Sequence, residues 1–185
     1  MKKIQKHTIV IMGIVLNVMG AYIAMTFKIP FYMDSIGTVF VAGMLGPKYA
    51  IITGLLGSFV SGMTFDIYSL YYAPVQIFTG FFAGVLYHTK WLNGKRMVIG
   101  NLLVAVPTSL ASALITAGLF HGITSSGSTF LVIILHKLRF NLVVSILLVQ
   151  IFTDYIDKLL AVMISKIVIK RLSFTIDTRG KNGTI

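Results

Sequence analysis

The chain of 185 residues contains no cysteine and no glutamate, and only five aspartates stand against sixteen lysines and arginines. Without cysteine there are no disulfides, thiolate metal sites or cysteine nucleophiles. Without glutamate there is no HExxH zinc-protease helix and no pair of catalytic glutamates. GxxxxGK[ST] is also missing, so ATP is not bound by a P-loop, and GxSxG is missing with it. No grouping resembles a nucleophile with its base. Charged residues make up only 11% of the chain, against roughly 25% in soluble domains.

What fills the sequence instead is apolar. Hydrophobic residues are 56% of the total and the mean hydropathy is +0.89, so lipid is the expected solvent. The length fits one domain. A helix needs about 20 apolar residues to cross a bilayer. On that measure six spans are expected, at about 8–27, 35–46, 49–63, 73–88, 98–120 and 141–169. The second and third are short and meet at GPK around Pro47, which predicts tilting or local bilayer thinning. The segment TFLVIIL, 129–135, is too short to span and reads as an outer interfacial or re-entrant helix. The basic N-terminus looks like the start of a signal peptide, but its apolar run is too long, and it is expected to be a retained first span. The fold class is therefore an all-α integral membrane protein. One six-helix domain is expected over 1–172, with a disordered cytoplasmic tail over 173–185.

The net charge of +11 does not point to nucleic acid, because the basic residues gather at the ends of apolar runs. Lys2, Lys3, Lys6, Lys48, Lys90, Lys95, Arg96, Lys166, Lys170, Arg171, Arg179 and Lys181 fall on one side of the span map, twelve in all. Lys28, Lys137 and Arg139 fall on the other, and Lys158 is assigned to neither. The positive-inside rule puts both termini in the cytoplasm.

Small residues recur at helical spacing: Ala50, Gly54, Ser58 and Gly62 in span three, Gly20 and Ala24 in span one, Gly80 and Gly84 in span four. Such stripes let helix backbones approach closely in lipid. The span-three stripe reads as packing within the bundle. The span-one stripe, on a terminal helix, is a candidate docking face.

Three outward-side segments gather polar groups: Asp34-Ser35; TFDIYSLYYAPVQ at 64–76, with Asp66, Tyr68, Tyr71, Tyr72 and Gln76; and FHGITSSGS at 120–128 with Ser126, followed by His136, Arg139 and Asn141. Tyr faces beside a few fixed polar groups make a small-molecule site. The plainer alternatives are an aromatic belt for the tyrosines and a flexible turn at 122–129. His121 and His136 read as surface polar residues rather than metal ligands. Asp34 is expected to cap the helix of span two through the amide of Gly37 or of the residue before it while anchoring the loop before it. TDYIDKLL, 153–160, buries Asp154, Asp157 and Lys158 in the last apolar block. Ionisable groups at that depth are functional candidates. The alternative is an internal ion pair, drawn between Asp157 and Lys158 or, at a spacing of four, between Asp154 and Lys158. An intramembrane aspartate hydrolase is disfavoured, because Asp154 and Asp157 lie on one helix.

Taken in order, IPFYMDSIGT (29–38), LGPKYA (45–50), FDIYSLYYAPVQIFTGFFAG (65–84), HGITSSGS (121–128) and DYIDKLLAV (154–162) resemble the substrate-binding (S) components of energy-coupling factor vitamin transporters. The likeness covers about 8–172 and is nearest to the cobalamin-type members. It implies a six-helix, multi-pass subunit of the bacterial cell membrane that is not an enzyme and has no cofactor of its own. Such a subunit binds a vitamin, here cobalamin or a smaller one such as hydroxymethylpyrimidine or pyridoxine, in an outward pocket closed by loop one. It then joins a membrane coupling subunit and two cytoplasmic ATPases and topples to release its cargo. Family members dock through small residues on the first helix, which here correspond to Gly20 and Ala24 with Gly13 and Asn17 on nearby turns. The rival class is a membrane sensor or assembly protein that transports nothing.

Overall fold

The computed structural model describes the backbone of residues 3–182 and the side chains of residues 3–171. Its elements are all helical: α1 (Lys3–Thr26), α2 (Ile36–Leu45), α3 (Pro47–Thr64), α4 (Tyr68–Tyr71), α5 (Ala73–His88), α6 (Met97–Phe120), α7 (Ser128–Lys137) and α8 (Leu142–Asn182), with a short 3-10 turn at Gly94–Arg96. Helices α1 and α6, the latter with its leading turn, are long and apolar enough to cross a membrane. The expected interfacial segment is α7, which packs Val132 against Ile146 and Val149 of α8 and Ala113 of α6. Helix α8 continues through 173–182, where a disordered tail was expected; residues 183–185 lie outside the described residues.

Helix α2 sits at the centre. Ile36 to Ala42 are all buried, and α1, α3, α5 and α8 surround it. A helix that is apolar all round belongs in such a position. At ten residues it is about 15 Å long at 1.5 Å per residue, half a bilayer core. The small-residue stripes bring the neighbours in. Ala50, Gly54, Ser58 and Gly62 of α3 are all buried, as the packing reading expects. A side chain on Gly80 of α5 would strike the backbone of Ala50 and Ile51, and one on Gly84 that of Pro47.

The span-one stripe is a correction. Gly13, Asn17, Gly20 and Ala24 are buried within this fold and present no docking face. Gly13 meets Gly37 of α2 backbone to backbone, and Gly20 faces the Met33 carbonyl. The stripe is small because α2 and loop one lie on it. The outer face of α1 carries larger residues, Ile11, Val15, Met19 and Tyr22 among them, all exposed.

The distribution of polarity is inverted. Leu102, Leu103, Val106 and Leu110 of α6 and Phe78 and Phe81 of α5 face outward. Asn17, Thr38, Gln76, Asn101, Thr108, Gln150, Asp157 and Lys158 are buried.

Candidate functional site

Loop one, between α1 and α2, crosses one end of the bundle and is held from two sides. From α8, Asp157 accepts the Met33 backbone N–H (2.8 Å) and the Ser35 hydroxyl (2.9 Å). Its third partner is the adjacent Lys158 ammonium, 2.7 Å away, which also donates to Ser35 Oγ at 3.3 Å. From the α6–α7 connection, the Gly127 N–H donates to Ile29 O (3.2 Å). The Tyr32 hydroxyl donates to Thr124 Oγ1 (3.1 Å). The expected Asp157–Lys158 pair is thus present, and it carries the loop rather than only locking helices.

The cap of α2 comes from another helix. Ser35 is the N-cap residue and makes no side-chain cap. Asn17 Oδ1 of α1 accepts the amides of Gly37 (2.7 Å) and Thr38 (3.1 Å) instead. This corrects the role expected of Asp34. The first-turn amides need an acceptor, and the glycine contact between α1 and α2 brings Asn17 close enough to supply it. Asn17 Nδ2 donates to Thr38 Oγ1 (2.8 Å), which donates to Gln76 Oε1 (3.0 Å). Gln76 Nε2 donates in turn to the Asp34 carbonyl, at 3.4 Å. Three helices and the lid are joined by one chain of satisfied buried bonds.

Beneath loop one lies a small, partly enclosed cavity of about 20 Å³, room for about one water. Its walls are Tyr32 and Asp34 of loop one, Tyr72 and Gln76 at the start of α5, Ser112 of α6, and Asp154, Asp157 and Lys158 of α8, with Ser69 and Val75 completing it. Three carboxyls face one ammonium. Asp154 Oδ2 is buried and has no hydrogen-bond partner. Asp34, in the loop, is pushed up to about 6 by burial, against the opposing pull of Lys158. The Tyr32 and Tyr72 rings lie 5.6 Å apart and tilted. Tyr72 is fixed through its hydroxyl on Thr116 Oγ1, which also accepts from Gln150 Nε2 (2.9 Å).

Of the sequence-predicted binding residues, Asp34, Tyr72 and Gln76 line this cavity, and Asp154, Asp157 and Lys158 join them. Asp66 and Ser126 line a smaller neighbour of about 10 Å³ that shares Tyr32. There Asp66 ties two loops together, accepting from Ser69 Oγ (3.2 Å) and Ser125 Oγ (3.0 Å). Tyr68 and Tyr71 pack edge-on against Phe120, at 4.8 and 5.3 Å between ring centres, outside both cavities. Arg139 and Asn141 are exposed and belong to neither. Asn141 Oδ1 accepts the Val143 N–H (2.9 Å) at the start of α8. Sequence reasoning passed over Tyr32, Ser69 and Ser112. Tyr32 stands two residues before Asp34, a visible signal. Ser112 looks like one more small packing residue of α6, and nothing local distinguishes it.

Comparison with protein-family models, curated proteins and solved structures gave no match to this chain.

Proposed function

We propose that this protein is a substrate-binding subunit of a vitamin importer of the energy-coupling factor type. In this reading it passes the bacterial membrane six times, with both termini cytoplasmic. Five passes are α1, α3, α5, α6 and α8. The sixth is α2 together with loop one, since α2 alone covers half of the core and irregular backbone is tolerated there only inside the bundle. Twelve basic residues against three on the two sides of the span map support that orientation. An apolar exterior around a polar interior supports the bilayer as its solvent, since buried polar groups bonded to each other are what lipid demands. The cavity lies at the outward end, and the proposal assigns it binding and no chemical step.

The observation that carries the reading is a small cavity lined by charged and polar side chains beneath a loop that is itself pinned by Asp157. Its excess of carboxyls over ammonium groups favours a small vitamin with ring nitrogens or an amino group. Tyr32 belongs to loop one and its ring lies on that of Tyr72, so lifting the loop would free one face of Tyr72 for a pyrimidine- or pyridine-sized ring. Asp34 or Asp154 would then accept from a ring nitrogen or an amino group. Cobalamin would need loop one and the α4 segment to swing wholly clear. Delivery requires a membrane coupling subunit and two ATPases. The outer face of α1, free of the small-residue stripe, is the surface we assign to that coupling subunit.

The test is equilibrium binding to the purified protein in nanodiscs, with hydroxymethylpyrimidine, pyridoxine and cyanocobalamin as ligands. Saturable micromolar or tighter binding of a small vitamin, weakened at least tenfold by Asp154→Asn, is expected. Preferential binding of cyanocobalamin would keep the subunit class and overturn the small ligand. Folded protein that binds none of these or other vitamins would shift the reading to a non-transporting sensor.

A further inference from the structure

The cavity beneath loop one gathers more negative charge than its own cation answers. Asp157 and Lys158 of α8 meet at 2.7 Å, and Lys158 makes a further bond to Ser35 Oγ. Two more carboxyls remain in the lining, Asp34 of loop one and Asp154 of α8, and no other lysine or arginine lines it. Lys28, the basic residue of loop one, is exposed. Along α8 the next basic residue, Lys166, stands 12 positions beyond Asp154, about 18 Å at 1.5 Å per residue, and every later one is farther. Asp154 is 6% exposed, and its Oδ2 is buried with no hydrogen-bond partner. Facing it from the other elements are Tyr32 of loop one, Tyr72 at the start of α5 and Ser112 of α6, with Ser109 of α6 beside it. None of these is a cation. Asp66 stands one hydroxyl away, bonded to the lining Ser69.

A buried carboxylate with no partner costs several kcal/mol, and such a group becomes neutral by holding a proton. Room for about one water leaves little solvent to do so instead. Two carboxyls in one small cavity, with its ammonium already paired, therefore keep at least one proton between them while the cavity is empty. We propose that the ligand of this cavity carries a fixed positive charge, as an alkylammonium or a quaternised ring nitrogen, and takes the place of that proton. The ligand class rests on the binding role proposed above; the proton does not. On binding, the carboxyl O–H breaks, the proton leaves to solvent, and the carboxylate pairs with the incoming cation, so the charge inside the cavity is unchanged. A neutral ring gains nothing from this exchange. Lowering the pH weakens the binding of a cation, because protons compete for the same carboxylate.

The experiment compares pyridoxamine with pyridoxine on the full chain in nanodiscs, two ligands that share a ring and differ by an ammonium in place of a hydroxyl. Pyridoxamine is expected to bind at least about tenfold more tightly near neutral pH. Calorimetry in two buffers of different ionisation enthalpy should show up to one proton released with pyridoxamine and none with pyridoxine. The pyridoxamine advantage should shrink as pH falls, by up to about tenfold per pH unit. Asp154→Asn should bring the two ligands level and abolish the release; the wild-type comparison stands even if that variant does not purify. The proton is read without any ligand, from the infrared carbonyl stretch of a protonated carboxyl, in a chain with five aspartates and no glutamate. That band should be present in the empty wild type, weaker in Asp34→Asn or Asp154→Asn, and reduced by pyridoxamine. Its absence from the empty protein would overturn the proton exchange. Equal binding of the two ligands without proton release would overturn the cationic ligand and leave vitamin binding standing. Folded protein that shows the band and binds neither ligand would overturn the ligand class together with the binding role it was drawn from.

Discussion

Asp157 holds three groups at once: the Met33 amide, the Ser35 hydroxyl and the Lys158 ammonium. Removing one partner of a buried ion pair typically costs about 3–5 kcal/mol, because the other charge is left uncompensated. Asp157→Ala should therefore lower stability by about that amount and free loop one, read as a lower unfolding temperature and faster proteolysis near residues 27–35. Adding Lys158→Met to Asp157→Ala should recover part of the stability without restoring the loop. A double variant less stable than Asp157→Ala would refute the ion-pair account. Asp34 gives a pH prediction. Its carboxyl is raised from an ordinary 3.8 to about 6, so the folded chain holds this proton more tightly than the unfolded chain does. Its contribution to stability is full below about pH 4 and is lost as pH rises through about 6. Asp34→Asn should flatten that part of the unfolding-temperature profile; an unchanged slope would remove Asp34 from the titration.

Between elements, α1 and α2 approach closely at a pair of glycines. Gly13 and Gly37 touch through backbone, and a side chain at Gly37 would run into the Gly13 carbonyl. Gly37→Ala would have to separate the helices, and with them the Asn17 cap on α2. The expected loss is about 1–3 kcal/mol for overpacking plus about 1 kcal/mol for the cap. Ala24→Gly, on the same stripe, tests whether small size alone is sufficient and should cost less. Urea or thermal titration of the two variants in one detergent separates these outcomes. Equal effects would mean that α1 and α2 are not locked at Gly37. Helix α7 meets α8 on one face only, through Val132, Ile146 and Val149, and leaves Phe130, Ile133 and Ile134 exposed.

For the whole molecule, the proposed topology has a direct check, because the chain has no native cysteine. Lys28 and Lys95 are both exposed, at opposite ends of the map. Lys28→Cys should react with a membrane-impermeant thiol reagent in intact cells. Lys95→Cys should react only after permeabilisation. The reverse pattern would invert the protein and move the cavity to the cytoplasm.

Much of this architecture was legible before any coordinates. Element positions followed from apolar runs long enough to be read in one dimension; the fourth expected span and α5 both run 73–88. The buried pairing of Asp157 with Lys158 was visible as charge inside an apolar block. The meaning of Asn17 was not. Its one polar side chain among small residues looked like an imperfect docking stripe until α2 was placed against it. The role read into Asp34 was divided in the folded chain, with the cap going to Asn17 and the loop anchor to Asp157, residues 17 before it and 123 after it. Hydropathy and charge act through the local chain and its solvent, so sequence alone reports them. Which acceptor meets a given amide depends on which helices touch, and that follows from packing between residues far apart in the chain.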